Sequence, residues 1–153
     1  MAKLEGGSKD VDEAMERWHN RSLAHRLYDA FTVAGLRVEA VEPGHLLCSF
    51  MVPPRLTSAS NRMHGGAVAS LVDLVGSAVI FAGGSPVTGV SLDINVSYLG
   101  AARANEEIEI EARVLGIGDK TGCVTVEVRR KDTGQVLAHG RHTKYLANVS
   151  SKL

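Results

Sequence analysis

The sequence is poor in cysteine and has no excess of charge of either sign. Its two cysteines, Cys48 and Cys123, are far apart and lack the close pairing of a zinc or redox motif. The count allows one disulfide, but we favour two unpaired buried thiols. Lys+Arg and Asp+Glu both number 17, which argues against a broad surface for nucleic acid or anionic membrane. Zero net charge is easier to tolerate when much of the surface is buried in an oligomer.

Long hydrophobic runs are lacking as well. The first ten residues are polar and contain glycine, so we expect no secretory signal. The apolar run from Ala67 to Ala82 is interrupted by Asp73. It also falls short of the ~20 residues that a bilayer requires, so we expect no membrane span.

What is present is the composition of a soluble globular domain. Hydrophobic residues make up 44% and charged residues 22% of the 153 residues, enough for one domain with its own core. The chain ends in Ser151-Lys152-Leu153, the tripeptide that the peroxisomal import receptor reads at a free carboxyl end. We therefore expect a peroxisomal protein that binds this receptor, and otherwise a cytoplasmic one. The alternative is a chance match in a polar tail.

The hydrophobic pattern changes from helical to alternating along the chain. Residues 10–34 have helical spacing and stop at Gly35. A second helix, apolar on all sides, begins at His64-Gly65-Gly66 and is broken at Gly83. Alternating stretches bounded by turn residues predict strands at 36–42, 45–52, 90–98, 107–116, 123–131 and 136–146.

This order of elements predicts an α+β fold with an antiparallel sheet. The last four strands follow one another through short connections, so we expect a meander. A helix that is apolar all round has to be buried, and the sheet should wrap around it. In the strand at 90–98, strict alternation separates two faces, with Val90, Leu92, Ile94, Val96 and Tyr98 on one and Ser91, Asp93, Asn95 and Ser97 on the other.

The start of the central helix is a candidate site for a carbonyl oxygen. The first N–H groups of a helix lack internal partners and carry partial positive charge. Glycine at Gly65 and Gly66 lets another molecule approach that backbone closely. Such a place can hold an oxygen that becomes negative during a reaction, although His-Gly-Gly at a helix start is more often only a turn.

Asp73 is the one carboxylate in this apolar helix. It follows Gly66 by two helical turns and shares its face. The neighbouring residues from Leu71 to Val75 are apolar, and poor solvation there would raise the pKa of the carboxyl. Two interpretations stay open: a structural Asp tied to the core, or a general base or nucleophile in a water-poor site.

Three segments resemble one known family: "MHGGAVASLVDLVGSA", "GVSLDINVSYLGAAR" and "GRHTKYL". They resemble the small hotdog-fold acyl-CoA thioesterases of the phenylacetate-pathway type, over residues 35–146. The resemblance implies a long central helix wrapped by an antiparallel sheet, and dimers or dimers of dimers with active sites at the dimer interface. It implies no metal and no cofactor apart from the coenzyme A of the substrate. The expected division is therefore 1–34 as a polar segment and helix, 35–147 as the thioesterase domain, and 148–153 as a tail.

The resemblance also implies roles for individual residues. The Gly65 amide would polarise the thioester carbonyl, with Gly66 beside it, and His64 would contact the thioester or the leaving group. Asp73 would activate water or attack directly, from the subunit opposite that Gly65. Ser91 would help to position the water and the carboxylate.

Coenzyme A would lie along two loops of the family pattern, at 98–103 and 116–122, with Arg103 and Lys120 facing phosphates. The residues implied to bind substrate there are Tyr98, Arg103, Gly118, Lys120, Thr121 and Tyr145. Residues 141–144 fit either an ordinary edge strand with outward charges or a modest phosphate contact. The sequence departs from the family at the usual Asn six residues before the His, where Ser58 stands. Either Ser58 or the nearby Asn61 would replace it.

Two other functions fit the same residues. One is a hotdog dehydratase or hydratase, which would pair a His with an acidic residue. The other is a non-catalytic acyl-CoA-binding protein in which Asp73 is structural. The leading hypothesis is hydrolysis of a fatty or aromatic acyl-CoA to free acid and coenzyme A. The acyl group itself is not predicted.

Overall fold

The computed structural model describes residues 27–85, 87 and 89–146. The predicted helix at 10–34 is therefore seen only in its last part, as helix α1 (Leu27–Val33). The predicted tail, with Ser151-Lys152-Leu153, lies outside the described residues. The peroxisomal expectation and the division into segments stay predictions.

The remaining elements follow the predicted order. Helix α2, the central helix, spans Gly65–Ala82, and a short 3₁₀ turn at Pro54–Leu56 precedes it. The strands are β1 (Arg37–Glu42), β2 (His45–Met51), β3 (Val90–Tyr98), β4 (Glu107–Ile117), β5 (Thr121–Arg130) and β6 (Val136–Tyr145). The turn residues expected from the sequence separate them: Gly44 has φ 75° between β1 and β2, and Gly84 has φ 95° after α2.

The six strands form one antiparallel sheet in the order β1-β2-β4-β5-β6-β3. The prediction of a four-strand meander is therefore wrong for β3. Strands β4, β5 and β6 do form a meander, but β3 pairs with β6 at the far edge. The connection from β3 to β4 thus crosses the sheet. In the part of the chain that the structure describes, the outermost strands are β1 and β3, so residues 141–144 do not lie on an edge strand.

The alternation in β3 is interrupted by a β-bulge. Ser91 pairs with Lys144 and Asp93 with Thr143, which leaves Leu92 without a partner in the register. Directly paired residues of antiparallel strands lie on the same face. Ser91 therefore shares its face with Ile94, and not with Asp93 as strict alternation predicted. The bulge turns a polar side chain towards the central helix.

Helix α2 lies in the concave face of the sheet, as expected. Leu71, Val72, Val75, Val79 and Ile80 are all almost fully buried. By length and composition α2 could cross a membrane, but 67% of it is buried inside the chain, as in a core helix. Gly140 on β6 allows the close approach, since a Cβ there would lie 2.7 Å from Val72 Cγ1.

Both cysteines are free thiols. Burial raises the pKa of the Cys48 thiol to about 12, so this group is an inert part of the core. Cys123 is only half-buried and accepts a hydrogen bond from Thr143 Oγ1. The expectation of two unpaired thiols is confirmed, but only Cys48 is buried.

Candidate active site

The start of α2 is open, as the glycines predicted. His64 precedes the helix in an extended conformation (φ −61°, ψ 138°) and its side chain does not cap it. His64, Gly65 and Gly66 are all exposed. A Cβ on Gly66 would meet nothing within 4 Å, so a ligand can approach the first turn of the helix without a side chain in the way.

Tyr98 fixes this helix start from strand β3. Its hydroxyl donates a hydrogen bond to the Gly65 carbonyl at 2.7 Å. The ring also lies close to Gly65, because a Cβ there would be 3.3 Å from the Tyr98 ring. In the single chain Tyr98 therefore contacts the helix start, which adds a positioning role to the coenzyme A contact that the resemblance implied.

Asp73 lies further along the same helix and is more open than its sequence neighbours suggested. Leu71, Val72 and Val75 point into the core, but the Asp73 side chain is 45% exposed. The expectation of a water-poor site around this carboxylate is therefore wrong for the single chain. The apolar neighbours cover the other face of the helix and leave the carboxylate face open.

His142 is the partner of Asp73 that the sequence reasoning missed. Its Nε2 atom lies 3.6 Å from Asp73 Oδ1 and 2.7 Å from Ser91 Oγ. The imidazole is fully buried and packs against Gly76, where a Cβ would be 3.1 Å from Nδ1. Asp73, Ser91 and His142, brought together from α2, β3 and β6, form one group, which we call the carboxylate cluster.

The unpaired nitrogen of His142 indicates its protonation state. Nδ1 is buried and has no hydrogen-bond partner among the described residues. If Nδ1 carries no proton, it is only a buried acceptor without a partner. In an imidazolium Nδ1 would carry a buried N–H without an acceptor, which costs more free energy. Burial lowers the pKa of His142, and the nearby Lys144 lowers it further, against the opposing carboxylates of Asp73 and Asp93. The neutral form with its proton on Nε2 fits best, and this proton is donated to Ser91 Oγ.

Because Ser91 Oγ accepts this hydrogen bond, its own proton is free. The hydroxyl can then donate to a water molecule or to the Asp73 carboxylate at the open face of α2. This arrangement fits the role that the resemblance implied for Ser91.

Lys144 is the second inward-facing residue of the segment 141–144. It is only 5% exposed, and Nζ donates to Ser77 Oγ at 2.6 Å. Ser77 Oγ in turn donates to the Asp73 carbonyl at 2.8 Å. Of the charged side chains in this segment, only Arg141 faces outward. The prediction of outward charges or a phosphate contact is therefore wrong for His142 and Lys144.

Ser58 and Asn61 belong to a tight turn before the helix. The backbone N–H of Asn61 donates to the backbone carbonyl of Ser58. Ser58 Oγ lies 2.9 Å from Ser60 Oγ. Asn61 has a positive φ of 55°, and its Oδ1 accepts the Ala104 amide at 3.2 Å. The Asn61 side chain thus ties this turn to the loop after β3. Neither side chain is shown to replace the Asn that the family usually carries.

The predicted coenzyme A residues fall into two groups at opposite ends of β3. Tyr145 pairs with Val90 and Thr121 at one end, close to the Gly118–Thr121 turn with its 2.8 Å backbone hydrogen bond. Lys120 is exposed in that turn, whereas Tyr98 and Arg103 lie at the other end. Eight residues of strand separate the ends by about 26 Å, so one chain does not bring the two groups together.

Metal ligation was not expected, and the described residues offer little for it. Among residues 27–85, 87 and 89–146, no group of three or more His, Cys, Asp or Glu side chains could hold a metal ion. The carboxylate cluster contains one His and one Asp, which is fewer ligands than a structural or catalytic zinc site uses.

Comparison with known proteins supports this fold. The thioesterase superfamily model matches residues 60–137. Human acyl-coenzyme A thioesterase 13 is 37% identical over 106 residues, which cover 69% of this chain and 76% of that protein. The crystal structure of zebra fish thioesterase superfamily member 2 is 30% identical with a TM-score of 0.83, over 88% of this chain and 96% of that one.

A more distant structure supports the fold alone. A hypothetical thioesterase from Streptococcus pneumoniae, solved with coenzyme A, is 19% identical with a TM-score of 0.76, over 88% of this chain and 97% of that one. The expected α+β hotdog fold is confirmed. This chain belongs to the thioesterase superfamily.

Proposed function

We propose that the protein hydrolyses an acyl-CoA thioester to a free acid and coenzyme A. The main observation in support of hydrolysis is the carboxylate cluster, in which Asp73 and Ser91 lie at the open face of α2 beside neutral His142. The names of the human and zebra fish relatives support the reaction class. The acyl group, fatty or aromatic, is left to experiment.

We propose further that each active site is shared by two copies of the chain. Gly65 and Asp73 are eight residues apart on one helix, which is about 12 Å along its axis. One thioester carbonyl cannot be polarised by the Gly65 amide and attacked beside Asp73 of the same chain over that distance. A second copy, presenting its own Asp73 opposite Gly65, removes the difficulty.

The open edge of β3 is where such a second copy would pair. It exposes the large apolar side chains of Val90, Leu92, Ile94 and Tyr98, and an unpaired strand edge with these side chains favours pairing with another strand. Antiparallel pairing of two β3 edges about a two-fold axis would bring the Tyr145 end of one copy near the Tyr98 end of the other. The two groups of coenzyme A residues would then meet.

The reaction then needs few steps. The thioester oxygen would accept a hydrogen bond from the Gly65 amide. Water, oriented by the Ser91 hydroxyl, would give its proton to Asp73 of the other copy while its oxygen bonds to the carbonyl carbon. The negative tetrahedral oxygen stays on the Gly65 amide. When the C–S bond breaks, the thiolate of coenzyme A leaves and takes the proton that Asp73 accepted from water, which restores the Asp73 carboxylate, and the acid is released.

The test is release of free thiol from a panel of acyl-CoAs. Asp73→Asn should lower kcat at least 100-fold, with its fold and assembly unchanged, because the amide cannot accept the proton. Asp132→Asn, in the β5–β6 turn, is the matched control and should keep wild-type activity. Asp73-dependent release from the best substrate would also name the acyl group.

Three results would contradict the proposal. If Asp73→Asn turned over substrate at the wild-type rate, the Asp73 carboxylate would have no role in the reaction. A folded wild-type protein that binds acyl-CoA without releasing thiol would favour the non-catalytic alternative. Double-bond change in an enoyl-CoA without thiol release would favour the hydratase alternative.

The peroxisomal location is a separate proposal. It rests on Ser151-Lys152-Leu153 alone, and these residues lie outside the described range. It would place the enzyme beside peroxisomal fatty acid oxidation.

A further inference from the structure

A buried ammonium group directly behind the carboxylate cluster has no role in the reaction described so far. Lys144 is almost fully buried on β6. Burial lowers the pKa of its ammonium group, and the Asp73 carboxylate opposes this shift and favours the charged form. Its Nζ is held by Ser77 Oγ at 2.6 Å. Ser77 lies one turn after Asp73 and donates to the Asp73 carbonyl. The ammonium thus contacts the same helical turn that carries the carboxylate.

We propose that Lys144 is a positioning residue of the hydrolytic site, whose buried ammonium keeps His142 neutral and its Nε2 proton directed at Ser91. This rests on the proposed function of Asp73 and Ser91. The geometry favours it because His142 Nδ1 has no acceptor in the described residues. If His142 were protonated, its positive charge would be repelled by the Lys144 ammonium, and its Nδ1–H would in addition have no acceptor.

The groups around His142 come from α2, β3, β5 and its own strand β6. Asp73 faces it from α2, and Asp93 lies nearby on the other face of β3. Both carboxylates favour a proton on the imidazole. Strand β5 pairs the apolar Val124 with His142. Lys144 is therefore the cation that opposes the two carboxylates, and burial acts in the same direction.

The consequence for the reaction follows from the 3.6 Å distance between His142 Nε2 and Asp73 Oδ1. If His142 became an imidazolium, it would form an ion pair with the Asp73 carboxylate. An ion-paired carboxylate is a weaker base towards water. By keeping His142 neutral, Lys144 leaves the carboxylate free to accept the proton of the attacking water.

Two variants separate the charge of Lys144 from its hydrogen bond. Lys144→Gln keeps a donor for Ser77 without the charge, and Lys144→Met removes both. In both, the acid limb of the pH profile of kcat/KM should move up by about one pH unit, so that activity well below the wild-type midpoint falls about tenfold. Near pH 8.5 it should stay within about threefold of wild type. Lys131→Gln, an exposed lysine paired with Glu107, should leave the profile unchanged.

A second readout does not depend on turnover. The ring nitrogen and carbon signals of His142, followed by NMR against pH, should show the Nε2–H form in the wild type and protonation at higher pH in Lys144→Gln. If the wild type releases no thiol, the proposed function fails while this titration still tests Lys144. An unchanged His142 titration, or a loss of activity that is equal at every pH, would overturn the inference.

Discussion

At the scale of single residues, the candidate site contains polar side chains buried behind the Asp73 carboxylate. The fully buried His142 has a lowered pKa, because burial and Lys144 disfavour its protonated form. The unfolded chain, with an ordinary pKa of about 6.5, takes up a proton that the folded chain resists. This difference makes the folded protein sensitive to acid.

We predict that the free energy of unfolding falls as the pH is lowered through about 6.5, and stops falling below the lowered pKa of His142. The slope from this one group is at most about 1.4 kcal/mol per pH unit. Denaturant titrations at fixed protein concentration measure it. The His142→Gln variant should lose this part of the slope, whereas His139→Gln, exposed on the same strand, should keep it. Equal slopes in both variants would contradict the assignment.

At the scale of elements, the packing of α2 on the sheet depends on small residues at the contact. Gly76 lies where a Cβ would be 3.1 Å from both His142 Nδ1 and Val124 Cγ2. Gly66, in the first turn of the same helix, would meet nothing. The two glycines thus form a matched pair in one helix, one packed and one free.

Gly76→Ala should lower the free energy of unfolding by about 1–3 kcal/mol, because overpacking outweighs the helical preference of alanine. Gly66→Ala should be neutral or stabilising by up to about 1 kcal/mol. Chemical denaturation of both variants gives the comparison. A Gly76→Ala protein as stable as the Gly66→Ala protein would show that α2 can shift away from β6 without cost.

The elements themselves were largely predictable, whereas their neighbours in the sheet were not. Strands and turns are local, and alternating residues with glycine at the turns specified all six strands to within a few residues. The place of β3 beside β6 depends on which long-range pairing closes the sheet around α2, and no local pattern contains that information. The bulge at Leu92 was hidden because the sequence alternates straight through it.

Two residues of the candidate site, Asp73 and Ser91, were predicted from the sequence, whereas His142 and Lys144 were missed. Asp73 was found as the single carboxylate in an apolar helix, and the role of Ser91 was found through the family resemblance. The structure brings both to His142. The inward direction of His142 and Lys144 was missed because charged residues at a strand end usually face solvent. A signal was present, since both are in phase with the buried Ala138 and Gly140 of the same strand.

At the scale of the whole molecule, the two edges of the sheet differ in what they expose. Strand β3 presents several large apolar side chains along its length, including Leu92, which is 59% exposed. Strand β1, the opposite edge, presents Val38, which is 40% exposed. Its charged residues Arg37 and Glu39 flank that position, and charges on an edge strand disfavour pairing with another chain.

We predict that Leu92→Lys weakens assembly through β3 and lowers kcat/KM at least 100-fold, because Gly65 and Asp73 of different copies no longer meet. Val38→Lys should change neither property. Light scattering after size exclusion, combined with the thiol assay, measures both variants. A monomeric Leu92→Lys protein with full activity would show that one chain suffices for the reaction.

The hydrogen bond from Tyr98 to the Gly65 carbonyl joins the outermost strand β3 to the start of α2. Tyr98 is the last residue of β3, so whatever pairs with this strand also acts on the helix start. The activity per molecule of such an enzyme would depend on its own concentration. At great dilution the copies would separate and the activity per molecule would fall, whereas in a crowded compartment nearly every molecule would be active.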